Sequence, residues 1–149
     1  MHEPGFLKNT WYVAARSADI AARLTPVRIL DEAIVLYRGP DGSPHALEDA
    51  CPHRKLPLSK GNLKGATVEC GYHGLTFDGT GTCVAAPTQG HPIPKRARVR
   101  AYPVLDRYGF LWIWMGDAPA DETALIDIPN HDNPAWGKTP HGALYIDCH

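Results

Sequence analysis

The chain has 149 residues, the length of one ordinary domain, and 44% of them are hydrophobic, which is typical of a globular protein. Its formal net charge of −1 gives no electrostatic footprint for nucleic acid. The sequence has no apolar run long enough to span a bilayer, and no signal-peptide pattern follows Met1. We therefore predict a cytoplasmic protein that binds neither nucleic acid nor membranes.

The first fifty residues predict short strands that are joined by tight turns. One or two helical turns are expected at 16–22, and Asp31 and Glu32 separate two apolar runs as in a hairpin. The Gly- and Pro-rich segment 39–43 is a second turn signal. The predicted strands are 11–15, 27–30, 33–37 and 45–48.

Two short clips of metal-binding residue types follow these strands. The first clip is Cys51-x-His53, and the second, sixteen residues further on, is Cys70-x-x-His73. Strands are expected at 66–70 and 75–77, so each clip lies at the tip of a connection between β elements. Loops of this kind can direct four side chains at one point.

Two thiolates and two imidazoles suit two kinds of metal centre. A Rieske [2Fe-2S] cluster has two cysteines on one iron and two histidines on the other. A structural zinc ion also accepts two sulfurs and two nitrogens, but its paired ligands usually follow spacings such as C-x₂₋₄-C and H-x₃₋₅-H. Each clip here mixes one Cys with one His. The pattern favours the iron–sulfur cluster and leaves zinc as the alternative.

The clips CPHR and CGYHG, with Leu58 and Gly61 between them, resemble those of Rieske non-haem iron oxygenases. The segments FLKNTWYVAA, FDGTGTCVAAPTQ and ARVRAYPVLDRYGFLWIWMGD extend the resemblance, and together they look most like the oxygenase (alpha) subunit of the vanillate O-demethylase type. The resemblance implies an all-β fold, a Rieske antiparallel β-sandwich with an inserted cluster-binding subdomain. It also implies that a [2Fe-2S] cluster is held by Cys51, His53, Cys70 and His73.

After the clips, a short strand is expected at 83–85, followed by a proline-rich loop. By resemblance, Pro87 is the candidate for a loop that covers one side of the cluster, and an ordinary surface loop is the alternative. Of the cysteines outside the clips, Cys83 and Cys148 are expected to be reduced and buried. The remaining six histidines are expected to lie at the surface or in turns.

Alternating residues at 95–100 would place Ala97 and Val99 inward and a row of three arginines outward. The row, formed by Arg96, Arg98 and Arg100, suits either a solvated edge strand or a docking face for an acidic electron donor. Strands are then expected at 104–105 and 110–115. Neither face of the second of these strands is polar, so we expect it to be covered on both sides.

Beyond Asp117 the sequence loses its periodicity, and only 143–148 suggests another strand. We predict a Rieske domain at 1–117, with the cluster-binding loops at about 50–78. Residues 118–149 are then a linker and the start of a truncated catalytic domain.

The resemblance implies a one-electron relay within an aromatic monooxygenase or dioxygenase, an oxidoreductase. Its partners would be an NAD(P)H-dependent flavin/iron–sulfur reductase or ferredoxin, and a small aromatic substrate for the full-length homotrimer. A mononuclear Fe(II) is expected only in the missing catalytic domain, because no two histidines here show the family's His-x₄-His spacing. This chain alone should not complete an oxygenation. The alternative is a stand-alone Rieske ferredoxin, an electron carrier.

Overall fold

A computed structural model describes residues 5–87, 93 and 96–138 of the chain. The strand expected at 143–148 and the environment of Cys148 lie outside the described residues. None of the described helical segments is long and apolar enough to cross a membrane.

The described residues form short strands and three single 3-10 turns, and every strand pair is antiparallel. The prediction of an all-β antiparallel fold is therefore confirmed. The strands are β1 (Thr10–Arg16), β2 (Thr25–Ile29), β3 (Glu32–Arg38), β4 (Pro44–Glu48), β5 (Asn62–Lys64), β6 (Thr67–Glu69), β7 (Thr76–Phe77), β8 (Cys83–Ala85), β9 (Ala101–Tyr102), β10 (Val104–Arg107) and β11 (Phe110–Met115). The 3-10 turns are η1 (Ser17–Asp19), η2 (Leu58–Lys60) and η3 (Glu122–Ala124).

The helical segment expected at 16–22 is reduced to η1. Arg16 still belongs to β1, where it pairs with Phe110 of β11. On the other side of the turn, Ile20 is extended and only 3% exposed. Because Arg16 is paired in β1 and Ile20 is extended and buried, only the three residues between them can form a helical turn.

Two sheets form the sandwich, with strand orders β1-β11-β10 and β2-β3-β4-β9. Because successive side chains of a strand point to opposite faces, alternate residues of β3 and β11 meet between the sheets. The residues packed there include Ile34, Leu36, Leu111, Ile113 and Met115, all almost completely buried.

The third sheet, β5-β6-β7-β8, is inserted between β4 and β9. These two strands pair directly with each other, Ala46 opposite Tyr102 and Leu47 opposite Ala101. Val35 and Tyr37, on the other face of β3, pack into the core of the inserted sheet. The chain thus leaves the sandwich after β4, builds the part that carries both clips, and returns at β9, as the resemblance implied.

The outer face of β11 is covered by the chain that follows it. Trp112 and Trp114 pack with Trp11 and Leu125. The Trp114 indole N–H donates to the Ala118 carbonyl at 2.9 Å, and that of Trp11 donates to the Asp121 carbonyl at 2.7 Å. The expectation that β11 is covered on both faces is confirmed. The domain division at 117 stays a prediction, and contact with the sandwich continues beyond it to Leu125 and, through Tyr108, to Asp127 and His131.

The expected row of three outward arginines is wrong at Arg100. Ala97 and Val99 do point into the core of the inserted sheet, and Arg96 and Arg98 are exposed. Arg100 is instead paired with Glu32 at 3.3 Å and Asp117 at 3.5 Å, and it lies over the Tyr102 ring. The positive charge of Arg100 is therefore paired with acidic residues of the same chain.

The packing on β11 predicts different outcomes for two neighbouring substitutions. Leu125→Ala should lower the free energy of unfolding by about 2 kcal/mol, because the side chain is only 8% exposed against the tryptophans. Ile126→Ala is the matched control, since Ile126 is 63% exposed, and its effect should stay within about 0.5 kcal/mol. Urea unfolding measures both values. Equal, small effects would show that this segment does not pack on β11.

Candidate metal centre

Both clips adopt the same backbone turn. In the first, the Cys51 N–H donates to the Leu56 carbonyl at 2.8 Å and the Lys55 N–H donates to the Cys51 carbonyl at 2.8 Å. In the second, the Cys70 N–H donates to the Leu75 carbonyl at 2.8 Å and the Gly74 N–H donates to the Cys70 carbonyl at 3.1 Å. The fifth residue of each turn, Lys55 or Gly74, has a left-handed φ of 56° or 72°. The two loops are thus equivalent in backbone hydrogen bonding.

The equivalence is hidden in the sequence because the histidines occupy different places. Counting the cysteine as the first residue of each turn, His53 is the third residue and His73 is the fourth. The place of His53 is occupied in the second loop by Tyr72, and the place of His73 is occupied in the first loop by Arg54. The recurring Cys-x₄-Leu spacing is the signal that could have revealed it.

The four residues named from the sequence line one narrow space between the loops. Cys51 and Cys70 lie at its inner end, each 2% exposed, within the core of the inserted sheet. His53 is exposed and His73 is half-buried, with the two ring centroids 4.6 Å apart. The site therefore has an inner pair of sulfurs and an outer pair of imidazoles.

A close backbone contact lies between the residues that follow η2 and those that enter the second loop. A Cβ on Gly61 would lie 2.0 Å from the Glu69 carbonyl oxygen, so no side chain fits there. A Cβ on Gly71 would already be 3.2 Å from the Lys60 oxygen. The residues that follow η2 therefore run against the residues that enter the second loop.

A buried carboxylate fixes the approach to the first loop. Asp49 is 8% exposed, and its two oxygens accept hydrogen bonds from the Ser59 backbone N–H and hydroxyl, both at 2.6 Å. The Asp49 N–H also donates to the Ala33 carbonyl at the start of β3. These two residues were missed in the sequence, where an Asp two residues before a cysteine gives no distinct signal.

Pro87 contacts the second loop, and its expected role in covering one side of the cluster stays a prediction. A Cβ on Gly74 would lie 2.8 Å from the Pro87 Cγ, so the proline ring packs directly on the glycine. The left-handed backbone favours glycine at 74, and the contact with Pro87 leaves no room there for a side chain. Most of the loop beyond Pro87 lies outside the described residues.

The other described histidines are engaged elsewhere. His45 stacks on Tyr37 with ring centroids 5.1 Å apart. His131 has its Nδ1 2.7 Å from an Asp132 oxygen and its Nε2 3.4 Å from the Lys138 ammonium. His2, His91, His141 and His149 lie outside the described residues.

The donor set suits a Rieske cluster. Burial raises the pKa of the Cys51 thiol, and backbone N–H groups of His53 and Arg54 oppose that rise by hydrogen bonding to its sulfur. A metal would displace the proton and leave a thiolate whose charge those N–H groups stabilise. Two inner sulfurs and two outer imidazoles match a centre whose two irons have different ligands.

Comparison with protein families decides between iron–sulfur and zinc. The model of the Rieske [2Fe-2S] domain matches residues 10–103, which is more than half of the chain and includes both loops. The chain belongs to this family. A Rieske domain implies a [2Fe-2S] cluster, so the match favours the iron–sulfur centre over zinc.

Relatives of this Rieske domain are oxygenase components. The chain is 43% identical over 144 residues to the oxygenase component of dicamba O-demethylase from Stenotrophomonas maltophilia, covering 96% of the chain and 42% of the relative. It is 43% identical over 148 residues to the vanillate O-demethylase oxygenase subunit of Pseudomonas sp. (strain HR199 / DSM 7063), covering 96% and 40%. A crystal structure of dicamba monooxygenase bound to dicamba superposes with a TM-score of 0.82 at 44% identity, covering 88% of this chain and 40% of that one.

The resemblance drawn from the sequence is therefore confirmed. The chain spans about two fifths of the length of the curated relatives that it matches. The family model covers residues 10–103, and the similarity to these relatives continues beyond it.

The contact between Gly61 and Glu69 predicts the effect of a single added methyl group. Gly61→Ala should displace the residues that enter the second loop, and we expect at least a tenfold loss of bound iron per chain after reconstitution. Gly137→Ala is the control, because a Cβ there would meet nothing within 4 Å. Iron analysis with circular dichroism separates loss of the site from loss of the fold. Full iron content in Gly61→Ala would contradict the role assigned to this contact.

Proposed function

We propose that this chain is the electron-accepting Rieske part of an aromatic-compound oxygenase or O-demethylase. Cys51 and Cys70 hold one iron of the [2Fe-2S] cluster, and His53 and His73 hold the other. The observation that carries this proposal is the arrangement of the four side chains, with two buried thiols and two outer imidazoles around one space. The family match and the identity to oxygenase components support it.

In this proposal the cysteines and the histidines have different roles: the cysteines hold negative charge, and the histidines exchange electrons with a partner. The Cys51 sulfur lies where backbone N–H groups stabilise thiolate charge, and the apolar neighbours Leu75 and Phe77 pack with both cysteines and exclude water there. The imidazoles lie toward solvent, where a second ring N–H can meet a partner. When bound, the cluster supplies one-electron chemistry. Electrons would enter and leave at the imidazole end.

The partners follow from the relatives, which are named as components or subunits of larger oxygenase systems. We propose that an NAD(P)H-dependent flavin/iron–sulfur reductase or a ferredoxin reduces the cluster in the cytoplasm. The electron then passes to a mononuclear Fe(II) that is held outside this chain and oxidises a small aromatic such as a methoxybenzoate. The full-length protein would be a homotrimer in which one subunit's cluster serves its neighbour's iron.

A stand-alone Rieske ferredoxin is the second candidate, and the region after β11 favours the oxygenase over it. Residues 118–125 extend beyond the matched domain and are fixed to the sandwich through two indole N–H groups and Leu125. A ferredoxin that ends with the Rieske fold would not need a segment after β11 that covers the outer face of this strand. The oxygenase therefore explains more of the described chain.

The cluster itself is tested by composition and spectroscopy. The purified chain should be brown, with two irons and two sulfides per chain and a rhombic reduced EPR spectrum of low average g. Cys70→Ser or His73→Cys should abolish or transform that spectrum, because each changes one proposed ligand. Cys83→Ser is the matched control, since Cys83 is buried and its thiol donates to the Ala85 carbonyl instead. A colourless chain with one stoichiometric zinc would contradict the proposal.

The chain should accept electrons without completing an oxygenation. Activation of O₂ needs a 2-His-1-carboxylate site with open positions on iron. Of the candidate residues near the C-terminus, His131 has both ring nitrogens engaged by Asp132 and Lys138, and its spacing to His141 does not fit the family pattern. With reductase, NADH, Fe²⁺ and a methoxybenzoate, we expect a reduced cluster and no formaldehyde or phenolic product.

The control for that reaction is the same mixture without the chain. Product above this control that disappears on changing His131 or His141 would reveal a mononuclear site within the 149 residues. Product that persists in both variants would point to a contaminating oxygenase, which repeating the assay with independently purified chain would expose.

A further inference from the structure

Tyr72 lies against one of the proposed iron ligands. Its ring is stacked on the His73 imidazole, with ring centroids 3.8 Å apart and planes inclined by 29°. It lines the space between the loops together with the four proposed ligands. Within its turn it occupies the place that His53 occupies in the first loop.

Burial does not explain an aromatic ring at this position. Tyr72 is 57% exposed, so its ring contributes little to the hydrophobic core. The rest of the second loop is held by backbone hydrogen bonds and by the contact between Gly74 and Pro87. The contact that distinguishes the Tyr72 ring is therefore the one with His73.

The face of an aromatic ring is electron-rich and attracts positive charge. An imidazole bound to oxidised iron carries partial positive charge, and the added electron diminishes it. A ring stacked on that imidazole therefore stabilises the oxidised site more than the reduced one. The stack also restricts the plane of the imidazole, which has one face against Tyr72 and an edge near the His53 ring.

We propose that Tyr72 is a positioning residue for the cluster, which fixes the plane of His73 and lowers the reduction potential of the site by stacking on that ligand. The inference rests on the proposed function, because it takes His73 as an iron ligand. It requires the aromatic face of the side chain and not its hydroxyl group.

Three substitutions of Tyr72 distinguish the effect of its aromatic ring from the effect of its hydroxyl group and from the effect of merely covering His73. Tyr72→Phe keeps the ring, Tyr72→Leu covers His73 without a ring, and Tyr72→Ala removes both. Each cluster-loaded chain is titrated against redox dyes, and the oxidised-to-reduced ratio is compared at the parent's midpoint potential. We expect the parent ratio in Tyr72→Phe, and a shift of about two- to fivefold toward the reduced form in Tyr72→Leu and Tyr72→Ala.

The matched control is Tyr108→Ala, which also removes a tyrosine that packs on a histidine. Tyr108 lies in the turn between β10 and β11, with its ring 5.0 Å from that of His131. This variant should keep the parent potential. The EPR g values give a second readout, which should change in Tyr72→Leu and Tyr72→Ala and stay unchanged in Tyr72→Phe and Tyr108→Ala.

Each outcome distinguishes the inference from the function on which it rests. Parent potential and g values in the Leu and Ala variants, at full cluster content, would overturn the role of Tyr72 and leave the cluster intact. A shift in Ala but not in Leu would assign the effect to water exclusion and overturn the stacking, and a shift in Phe would assign it to the hydroxyl. If Tyr72→Ala fails to load a cluster, the Leu and Phe variants decide. A parent chain without a cluster would contradict the proposed function itself.

Discussion

The second loop depends on a close contact between Gly61 and the backbone of Glu69, the residue before Cys70. Gly61 lies so close to the Glu69 carbonyl that no Cβ can be placed between them. Each cysteine–histidine loop is closed by its own hydrogen bonds and would form a turn by itself. Only the approach of the two loops brings four donors around one space. Because the contact of Gly61 is with the Glu69 carbonyl oxygen, it leaves no room for a side chain at position 61.

The asymmetry of the centre arises within two equivalent turns. Both turns bury the sulfur of their first residue and both turn back at a left-handed fifth residue, Lys55 or Gly74. The histidine is the third residue in one turn and the fourth in the other, so the outer donors are not related by the symmetry of the backbone. One consequence is that Tyr72 occupies the third place of the second turn and contacts His73. The places of the histidines in the two turns therefore determine which side chains lie beside them.

Much of this architecture could be predicted because its signals are local. The apolar run at 33–37 and the turn at 39–43 gave β3 and its connection to β4, and mixed Cys/His clips indicated the cluster-binding loops. The strands β5 and β9 were missed: β5 has exposed polar ends and therefore no apolar run, and β9 is a two-residue pairing that ends at Pro103. The ion pairs of Arg100 with Glu32 and Asp117 could not be foreseen, since local alternation says nothing about acids that are distant in sequence. The Tyr72 stack was missed for a related reason, because sequence spacing does not report which way a ring turns.

The strand β3 connects the sandwich to the loops that carry the site. Ile34 and Leu36 pack between the two sandwich sheets, while Val35 and Tyr37 pack under the inserted sheet. Burial raises the pKa of Tyr37 to about 12, with the nearby Asp78 adding to the shift, so its hydroxyl stays neutral and donates to the Ala66 carbonyl. That carbonyl lies just before β6, the strand that enters the second loop. A strand buried on both faces cannot shift without disturbing two cores, and it therefore gives the loops a rigid base. For a site that only gains and loses an electron, such rigidity is useful, because donors held in place need little rearrangement when the charge changes.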